Sequence, residues 1–321
     1  MPNSLVGLDP QTLAVTDVIP VPGGIGTRVA GERQSGPIAL FQEYVLAPAG
    51  PLTTPSPGTC CGSVRAVALI DTISHTVHLF ENIGDIDGIA FGHGALWITI
   101  GQKLTAFQGN ALTSQLTTIG SISLRNGSEV IGFDVGDFWV AELTPGEGGF
   151  RHDIVVRIDP QTMEIKARIE VLSETTDMAF GAGSVWVVND GNDTNSFVYR
   201  IDEASNEVVH RFKFPPVVPW PAISIGYGSG FAWVVDYNVL YRIDPNDNSV
   251  REFHITSLLH HLGSLAASPE ALWTDDSATG TIFKVDPGSG RVARMKDLGF
   301  KTYGLLPYGG KIWVAIGDSL G

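Results

Sequence analysis

One short pattern recurs along the chain and constrains its fold more than any other feature. A tryptophan follows a turn marked by Gly or Pro and precedes an apolar residue or Thr, at Trp97, Trp139, Trp186, Trp233, Trp273 and Trp313. A second marker, made of a basic residue, an aliphatic residue and Asp, recurs in phase with it. Its copies are Arg157-Ile158-Asp159, Arg200-Ile201-Asp202, Arg242-Ile243-Asp244 and Lys284-Val285-Asp286. Both markers repeat at roughly 40 to 47 residues, so the chain consists of stacked copies of one structural unit.

The stretch from Asp177 to Phe214 shows what one copy contains. Its apolar runs are Met178–Phe180, Ser184–Val188, Phe197–Asp202 and Glu207–Phe212. They are rich in β-branched and aromatic residues and are separated by Gly, Asp and Asn, which predicts four antiparallel strands. A lone sheet of this size is marginally stable, so each copy needs neighbours. Four strands at this period are typical of a blade of a β-propeller.

The two chain ends complete each other. The segment from Tyr303 to Gly317 holds the first two strands of a copy, and Leu5 to Pro20 holds the last two. Pairing them closes a ring. We therefore predict an all-β, seven-bladed β-propeller with four antiparallel strands per blade, forming a single domain over residues 1–321. The predicted blades are 1–22 with 300–321, 23–83, 84–124, 125–172, 173–216, 217–257 and 258–299.

Charge and composition exclude several classes of partner. A net charge of −14 and a pI near 4.9 argue against a nucleic-acid-binding protein, which needs a basic surface. No apolar run has the length of a membrane span. The first residues lack the basic start and apolar core of a signal peptide, which leaves a cytoplasmic protein and a mature secreted form both open. The oligomeric state is also open.

Cofactor motifs and metal-binding cysteines are not evident in the sequence. No G-x-S-x-G, HExxH, Walker A or dinucleotide fingerprint occurs in its required context, so we expect no cofactor. The two cysteines, Cys60 and Cys61, are adjacent, which provides neither a disulfide framework nor a zinc cluster. They are either reduced loop thiols or a vicinal disulfide.

The predicted loops are uneven, and this asymmetry indicates where a site lies. The connections from second to third strands are long at Ala47–Gly62 and Leu143–Asp153, and shorter at Asp190–Ser196. In a propeller these connections share one face with the crossovers between blades. Long loops on one face of a rigid scaffold commonly carry function. We therefore expect a funnel-shaped binding site on this face.

Two sets of residues are predicted to surround this funnel. The first set follows the tryptophan strands and comprises Glu142, Asn189, Asp190, Asp236, Asp275, Asp276 and Asp318. The second set lies in the crossovers and comprises Arg28, Asp87, Glu129, Asp177, Trp220, His260, His261, Lys301 and Tyr303. Asp and Asn are also ordinary turn residues after a strand. As a group, however, converging carboxylates can hold a divalent cation.

Specific roles follow from residue type. Side chains of His260 and His261 point oppositely in an extended segment, so only one can face the funnel, where it can act as an acid or base near neutral pH. A solvated loop histidine is the alternative. Trp220, between two prolines, is a pocket wall or a core residue. We predict His261, Tyr303 and Lys301 as catalytic, and Trp220, His260, Arg28, Asp87, Asp177, Asp236 and Glu142 as substrate-binding. We expect no metal; a metal, if bound, is predicted on Asn189, Asp190, Asp236 and Asp276.

The tryptophan pattern followed by Arg-Ile-Asp-Pro resembles bacterial and fungal propellers of the YVTN, virginiamycin B lyase and SMP-30/gluconolactonase type. The resemblance covers nearly the whole chain and implies the propeller fold. These families include lyases, calcium lactonases and binding modules, so it implies no single function. The lactonases' metal-site Asp and Asn sit at strand ends comparable with Asn189, Asp190 and Asp236. The glutamate that lactonases carry on the first inner strand has no counterpart here.

A looser resemblance, in length, degenerate repeats and loop-capped apolar funnel, is to fungal tropolone hetero-Diels–Alderases of natural-product biosynthesis. It implies formation of a quinone methide from a hydroxymethyl tropolone by loss of water, followed by cycloaddition to humulenol. The function that we predict is therefore that of a cofactor-free lyase or cyclase acting on an apolar small molecule. A metal-dependent SMP-30-like lactonase and a non-enzymatic binding scaffold are the alternatives.

Overall fold

The computed structural model shows an all-β chain built from four-stranded antiparallel sheets. It describes residues 2–22, 24–25, 38–41, 44–49, 66–81, 83–84, 86–110, 115–128, 130–134, 136–144, 152–190, 196–215, 224–255, 262–276 and 279–319. These residues form seven sheets of four strands each, and each sheet is one blade of a seven-bladed β-propeller. The predicted fold class is confirmed. No helix among the described residues is long and apolar enough to cross a membrane.

Residues 1–129 and 298–321 form one compact unit with blades one to three. The strands of blade one are β1 (Ser4–Leu8), β2 (Val15–Pro20), β27 (Phe300–Tyr308) and β28 (Lys311–Ser319). Those of blade two are β3 (Ala39–Phe41), β4 (Tyr44–Ala49), β5 (Ala66–Asp71) and β6 (Val77–Phe80). Those of blade three are β7 (Gly88–Gly92), β8 (Ala95–Ile100), β9 (Lys103–Asn110) and β10 (Gln115–Ser123).

Residues 130–297 form a second compact unit with blades four to seven. The strands of blade four are β11 (Val130–Phe133), β12 (Phe138–Glu142), β13 (His152–Ile158) and β14 (Ile165–Leu172). Those of blade five are β15 (Glu174–Gly181), β16 (Ser184–Asp190), β17 (Ser196–Asp202) and β18 (Glu207–Phe214). Those of blade six are β19 (Ser224–Gly228), β20 (Phe231–Asp236), β21 (Val239–Ile243) and β22 (Val250–His254). Those of blade seven are β23 (Leu262–Ala267), β24 (Leu272–Asp276), β25 (Thr281–Val285) and β26 (Val292–Asp297).

Blade one combines both ends of the chain. β1 pairs with β2 on one side and with β28 on the other, so that Leu5 lies opposite both Ile19 and Ala315. All five residues of β1 are buried. The first strand of the chain is therefore an interior strand of its sheet, as the complementary chain ends predict.

The two repeated markers face each other across neighbouring strands. Trp186 on β16 pairs with Arg200 on β17, and the Arg200 guanidinium lies over the indole, 5.1 Å from the ring centroid. Trp139 and Arg157 repeat this arrangement in blade four at the same 5.1 Å. The arginine then extends to the next blade: Nη1 of Arg200 donates to the carbonyl of Pro245 at 2.6 Å. In blades four to six the repeat thus attaches a blade to the following one.

The aspartate of the second marker closes the turn between third and fourth strands. Oδ1 of Asp159 accepts hydrogen bonds from the amides of Gln161 and Thr162 at 2.8 and 3.0 Å. Oδ1 of Asp202 does the same for Ala204 and Ser205 at 3.1 and 2.7 Å. Such Asx turns are a common way of reversing the chain. These carboxylates therefore have a structural role.

The core consists of apolar layers between adjacent blades. The layer between blades five and six, called here the five–six core, contains Ala179, Trp186, Val188, Val198, Phe212, Phe214, Ile225, Ala232, Val234, Val239, Tyr241 and Ile243. Strand alternation supplies it, because each blade presents every second residue to the blade beside it.

Candidate functional site

A row of polar residues occupies equivalent positions in the four blades of the second unit. Each follows its blade's tryptophan by three residues at the end of the second strand: Glu142, Asn189, Asp236 and Asp276. All four have 0% exposure. In blades three and one the same position is Ile100 and Ile316. The polar row is therefore a feature of blades four to seven within the described residues and is not part of the general repeat.

Most members of this row have partners within the protein. Arg168 on β14 forms a salt bridge with Glu142. The amide nitrogen of Asn189 donates to the Ser173 carbonyl at 2.9 Å and to Oγ1 of Thr175 at 3.3 Å. These contacts hold the ends of β12 and β16 in place, which is a structural role that the sequence does not reveal.

The aspartates of blade seven also have partners. Oδ1 of Asp276 accepts from the amide of Thr279 at 3.2 Å, in the turn that leads to β25. Its neighbour Asp275 accepts from the amide of Ser264 at 2.6 Å, across to the innermost strand of the same blade. Both side chains are thus anchored to backbone amides.

Asp236 differs from the other members of the row. Neither of its carboxylate oxygens has a hydrogen-bond partner among the described residues, although both are fully buried. Burial raises the pKa of Asp236 to about 7. The Ser196 hydroxyl on β17 lies close enough to the carboxyl to lower its pKa somewhat. The two groups do not, however, meet the geometry of a hydrogen bond. The result is a carboxyl group that is poised to gain or lose a proton near neutral pH.

Asp177, a predicted substrate-binding residue, joins blades five and six. It lies within β15, whereas the sequence pattern places it in the crossover before that strand. Its Oδ2 accepts from Oγ of Ser224 at 2.8 Å and from the Ile225 amide at 3.0 Å, and Ser224 Oγ accepts in turn from the Leu265 amide at 3.2 Å. The innermost strands of three blades are linked in this way. Asp177 as a residue is half-buried, but its side-chain carboxyl group is buried. Burial of the carboxyl group raises the pKa of Asp177 to about 6.

The predicted site residues of the first unit have local contacts. Oδ2 of Asp87 accepts from the Gly101 amide at 2.6 Å, within its own blade. Tyr303 is half-buried, and its ring packs against Gly317. A Cβ atom at position 317 would lie 2.2 Å from the ring, so only glycine fits there. Lys301 is exposed. The structure thus assigns Tyr303 a packing contact with β28.

The remaining predicted residues lie outside the described part of the chain. They are Arg28, Glu129, Trp220, His260 and His261, together with Cys60 and Cys61. The backbone of Asp190 and Asp318 is described as the end of β16 and β28, but their side chains are not. The predicted roles of these residues stay predictions.

Sequence reasoning did not predict every polar residue at these strand ends. Asn238, in the two-residue turn after β20, is 3% exposed, and no described residue forms a hydrogen bond with its Oδ1. Thr274 on β24 is fully buried with an unpartnered hydroxyl. Asn in a tight turn is ordinary, so no sequence signal distinguishes Asn238 from a structural turn residue.

The carboxylates do not converge on a metal site within the described residues. No group of three or more His, Cys, Asp or Glu side chains in this part of the chain is arranged to hold a metal ion. Glu142, Asn189 and Asp276 are instead bound to different protein partners. Of the residues named above as possible ligands, Asn189 and Asp276 are thus engaged within their own blades.

Comparison with known proteins places the chain among seven-bladed propellers. No sequence family and no curated protein sequence matches it. In structure it is similar to virginiamycin B lyase from Staphylococcus aureus, with a TM-score of 0.64, 15% identity, and coverage of 89% of this chain and 93% of that one. A catalytically inactive histidine-to-alanine form of that lyase with quinupristin gives a TM-score of 0.62 at 15% identity, covering 90% and 98% of the two chains.

A third similar structure is hydrazine synthase from Kuenenia stuttgartiensis, with a TM-score of 0.60, 13% identity, and coverage of 80% of this chain and 78% of that one. At such low identity these similarities establish the fold alone. The resemblance to virginiamycin B lyase-like propellers, drawn from the repeated markers, is confirmed at that level.

Proposed function

We propose that this chain is an enzyme of the lyase or cyclase type that acts on an apolar small molecule without a redox cofactor. The observation that carries the proposal is the buried polar row at the ends of the second strands in blades four to seven. Buried polar groups cost stability unless they are bonded, and one member, Asp236, is not. Proteins tend to keep such costly groups where they bind or react.

The position of the row suits a binding site. The second strands end where the connections to the third strands begin, and in blade four that connection lies between Glu142, the last residue of β12, and His152, the first residue of β13. We propose that the aliphatic and aromatic layers between these blades supply apolar walls for the ligand at this edge. An apolar ligand would be oriented by shape, and a few polar groups would act on its reacting atoms.

The proposed chemistry needs a group that handles protons. His261 is proposed for this role, with Trp220 as an aromatic wall. The fold supports a lyase, since virginiamycin B lyase has the same architecture. The more specific form of the proposal, a hetero-Diels–Alderase, rests on the looser resemblance noted from the sequence.

The test is a turnover assay on two probes. The purified protein is incubated with quinupristin, and separately with a hydroxymethyl tropolone plus humulenol, and the products are followed by liquid chromatography and mass spectrometry. We expect the second mixture to yield a product whose mass is the sum of the two reactants less one water. Virginiamycin B lyase and heat-inactivated protein serve as the positive and negative controls.

Other outcomes distinguish the alternatives. Turnover that vanishes with EDTA and returns with calcium would favour a metal-dependent lactonase. Absence of product from both probes, together with an unchanged melting temperature in their presence, would contradict the proposed enzyme and favour a scaffold.

A further inference from the structure

The hairpin tip between β20 and β21 holds two buried polar residues that the fold does not satisfy. β20 ends at Asp236 and β21 begins at Val239, so the turn consists of Tyr237 and Asn238. Asp236 is fully buried and Asn238 is 3% exposed. Within the described part of the chain, the two carboxylate oxygens of Asp236 and Oδ1 of Asn238 have no hydrogen-bond partner. Three acceptor atoms without partners therefore lie within one short turn.

This situation is rare in native proteins. The great majority of buried polar side-chain atoms have a partner, and each exception calls for an explanation. At equivalent positions the fold provides a partner: Glu142 forms a salt bridge with Arg168, and Asn189 donates a hydrogen bond to the Ser173 carbonyl. Among the described residues, Oδ1 of Asn189 also lacks a partner, but Asp236 is the member of the row in which both side-chain oxygens do.

Asp236 lies on the face of β20 that packs into the apolar five–six core. Side chains alternate along a strand, so Asp236 lies on the same face of β20 as Val234, which belongs to the five–six core. Val188 and Val198 of blade five belong to the same layer. Burial in such a layer disfavours the charged carboxylate.

Few polar or titratable groups act on this carboxyl. Among the described residues, Ser196 on β17 of blade five lies near the Asp236 carboxyl. Within blade six, the negative charge of Asp236 acts on Tyr241 of β21. Burial raises the pKa of Tyr241, and the Asp236 charge raises it further. Burial raises the pKa of Asp236 to about 7, so both protonation states of Asp236 occur near neutral pH.

We infer that the tip formed by Asp236 and Asn238 binds a hydroxyl or carbonyl oxygen of the apolar ligand, with Asp236 as a catalytic residue that exchanges a proton with it. The protonated carboxyl donates to the ligand oxygen, and Oδ1 of Asn238 accepts from a ligand hydroxyl. In the proposed dehydration, the ligand hydroxyl takes the proton from Asp236 and leaves as water when its C–O bond breaks. The Asp236 carboxylate then takes up the proton that a second hydroxyl of the ligand releases as the quinone methide forms. The inference rests on the proposed function and adds that the ligand carries an oxygen at this position.

The experiment combines a titration with kinetics, using the hydroxymethyl tropolone as probe. Protein labelled with ¹³C at the aspartate carboxyl carbons is titrated by NMR from pH 4 to 9. We expect one resonance to titrate near pH 7, to be missing in Asp236→Asn, and to persist in Asp276→Asn, the matched variant of the next blade. Adding the probe to the wild-type protein should shift that resonance.

Kinetic constants on the probe supply the second readout. Asp236→Asn should lower kcat by roughly 10²-fold, as loss of an acid–base group does, and should remove the limb of the pH profile near 7. Asn238→Ala should mainly raise KM.

Three results would overturn the inference. The first is that the Asp236 carboxyl titrates in the ordinary range of aspartate. The second is that its resonance does not shift when the probe is bound. The third is unchanged turnover in Asp236→Asn, which would leave the proposed function standing and remove Asp236 from it. If the wild-type protein neither binds nor converts the probe, the proposed function fails, and this inference fails with it.

Discussion

Arg200 contacts Trp186 in its own blade and Pro245 in the next, and so connects two blades through one side chain. Its guanidinium lies 5.1 Å from the Trp186 ring centroid, and its Nη1 donates to the carbonyl of Pro245 at 2.6 Å and to Oδ1 of Asn248 at 3.0 Å. Arg157 donates in the same manner to Oδ1 of Asn206 at 2.8 Å. The most conspicuous repeat in the sequence therefore serves the packing between blades.

Arg200→Ala should destabilise the protein by about 2–4 kcal/mol. The substitution removes charged hydrogen bonds to the next blade and a cation–π contact. Urea unfolding measures the change. Arg251→Ala is the matched control, since Arg251 is exposed and lies over Phe253 within its own blade; it should cost less than about 1 kcal/mol. Equal costs for the two variants would contradict the role of Arg200 between blades.

Deletion of residues 1–20 should abolish most of the cooperative stability. The deletion removes β1 and β2, and β1 is fully buried between β2 and β28. Its loss exposes the edge of β28 and the apolar face that β1 covers. Differential scanning calorimetry of the truncated protein checks this. A melting temperature equal to that of the full chain would show that the terminal pairing is dispensable.

Asp177→Ala should lower stability by about 2–4 kcal/mol, because it leaves the Ser224 hydroxyl and the Ile225 amide without their acceptor. Chemical denaturation of the variant provides the value. Asp247→Ala, at an exposed turn, is the control for loss of an aspartate. If Asp177→Ala were as stable as the wild type and only ligand binding suffered, Asp177 would be a binding residue without a structural role.

Glu203→Gln should flatten the pH dependence of stability near neutral pH. Burial and the nearby Asp134 carboxyl raise the pKa of Glu203 to about 7. In the unfolded chain Glu203 ionises near its ordinary value of 4.5, so the folded state holds the extra proton between these pH values. Stability is therefore expected to fall as pH rises from about 4.5 to 7. Melting temperatures of both proteins at pH 5 and pH 8 test this, and a parallel loss in both would exclude Glu203 as the source.

His261→Ala should lower turnover by roughly 10²-fold if His261 transfers a proton in the proposed reaction. Trp220→Ala should mainly weaken binding, by about 1–3 kcal/mol for a lost aromatic wall. His260→Ala is the matched control, because adjacent side chains of an extended segment point in opposite directions. Kinetic constants on a converted probe decide the matter. Unchanged values in both His261→Ala and Trp220→Ala would place the chemistry elsewhere.

The architecture was predictable because its determinants are local. Runs such as Ser184–Val188 alternate apolar residues and end at turn residues, and these features specify strands without knowledge of the neighbours. The pairing of Leu5 with Ala315 was predictable as well, since each chain end holds the half of a blade that the other lacks. The sequence by itself therefore determined the class of fold and the closing of blade one.

The roles of the polar strand ends were decided by the tertiary structure. Glu142 and Asp236 occupy the same position after a tryptophan, and nothing in the neighbouring residues separates them. Arg168 on β14 forms a salt bridge with Glu142, while among the described residues no side chain completes a hydrogen bond to Asp236. Whether a buried carboxyl is paired depends on which side chains packing places within about 3 Å of it, and that distance is set by contacts between strands far apart in sequence.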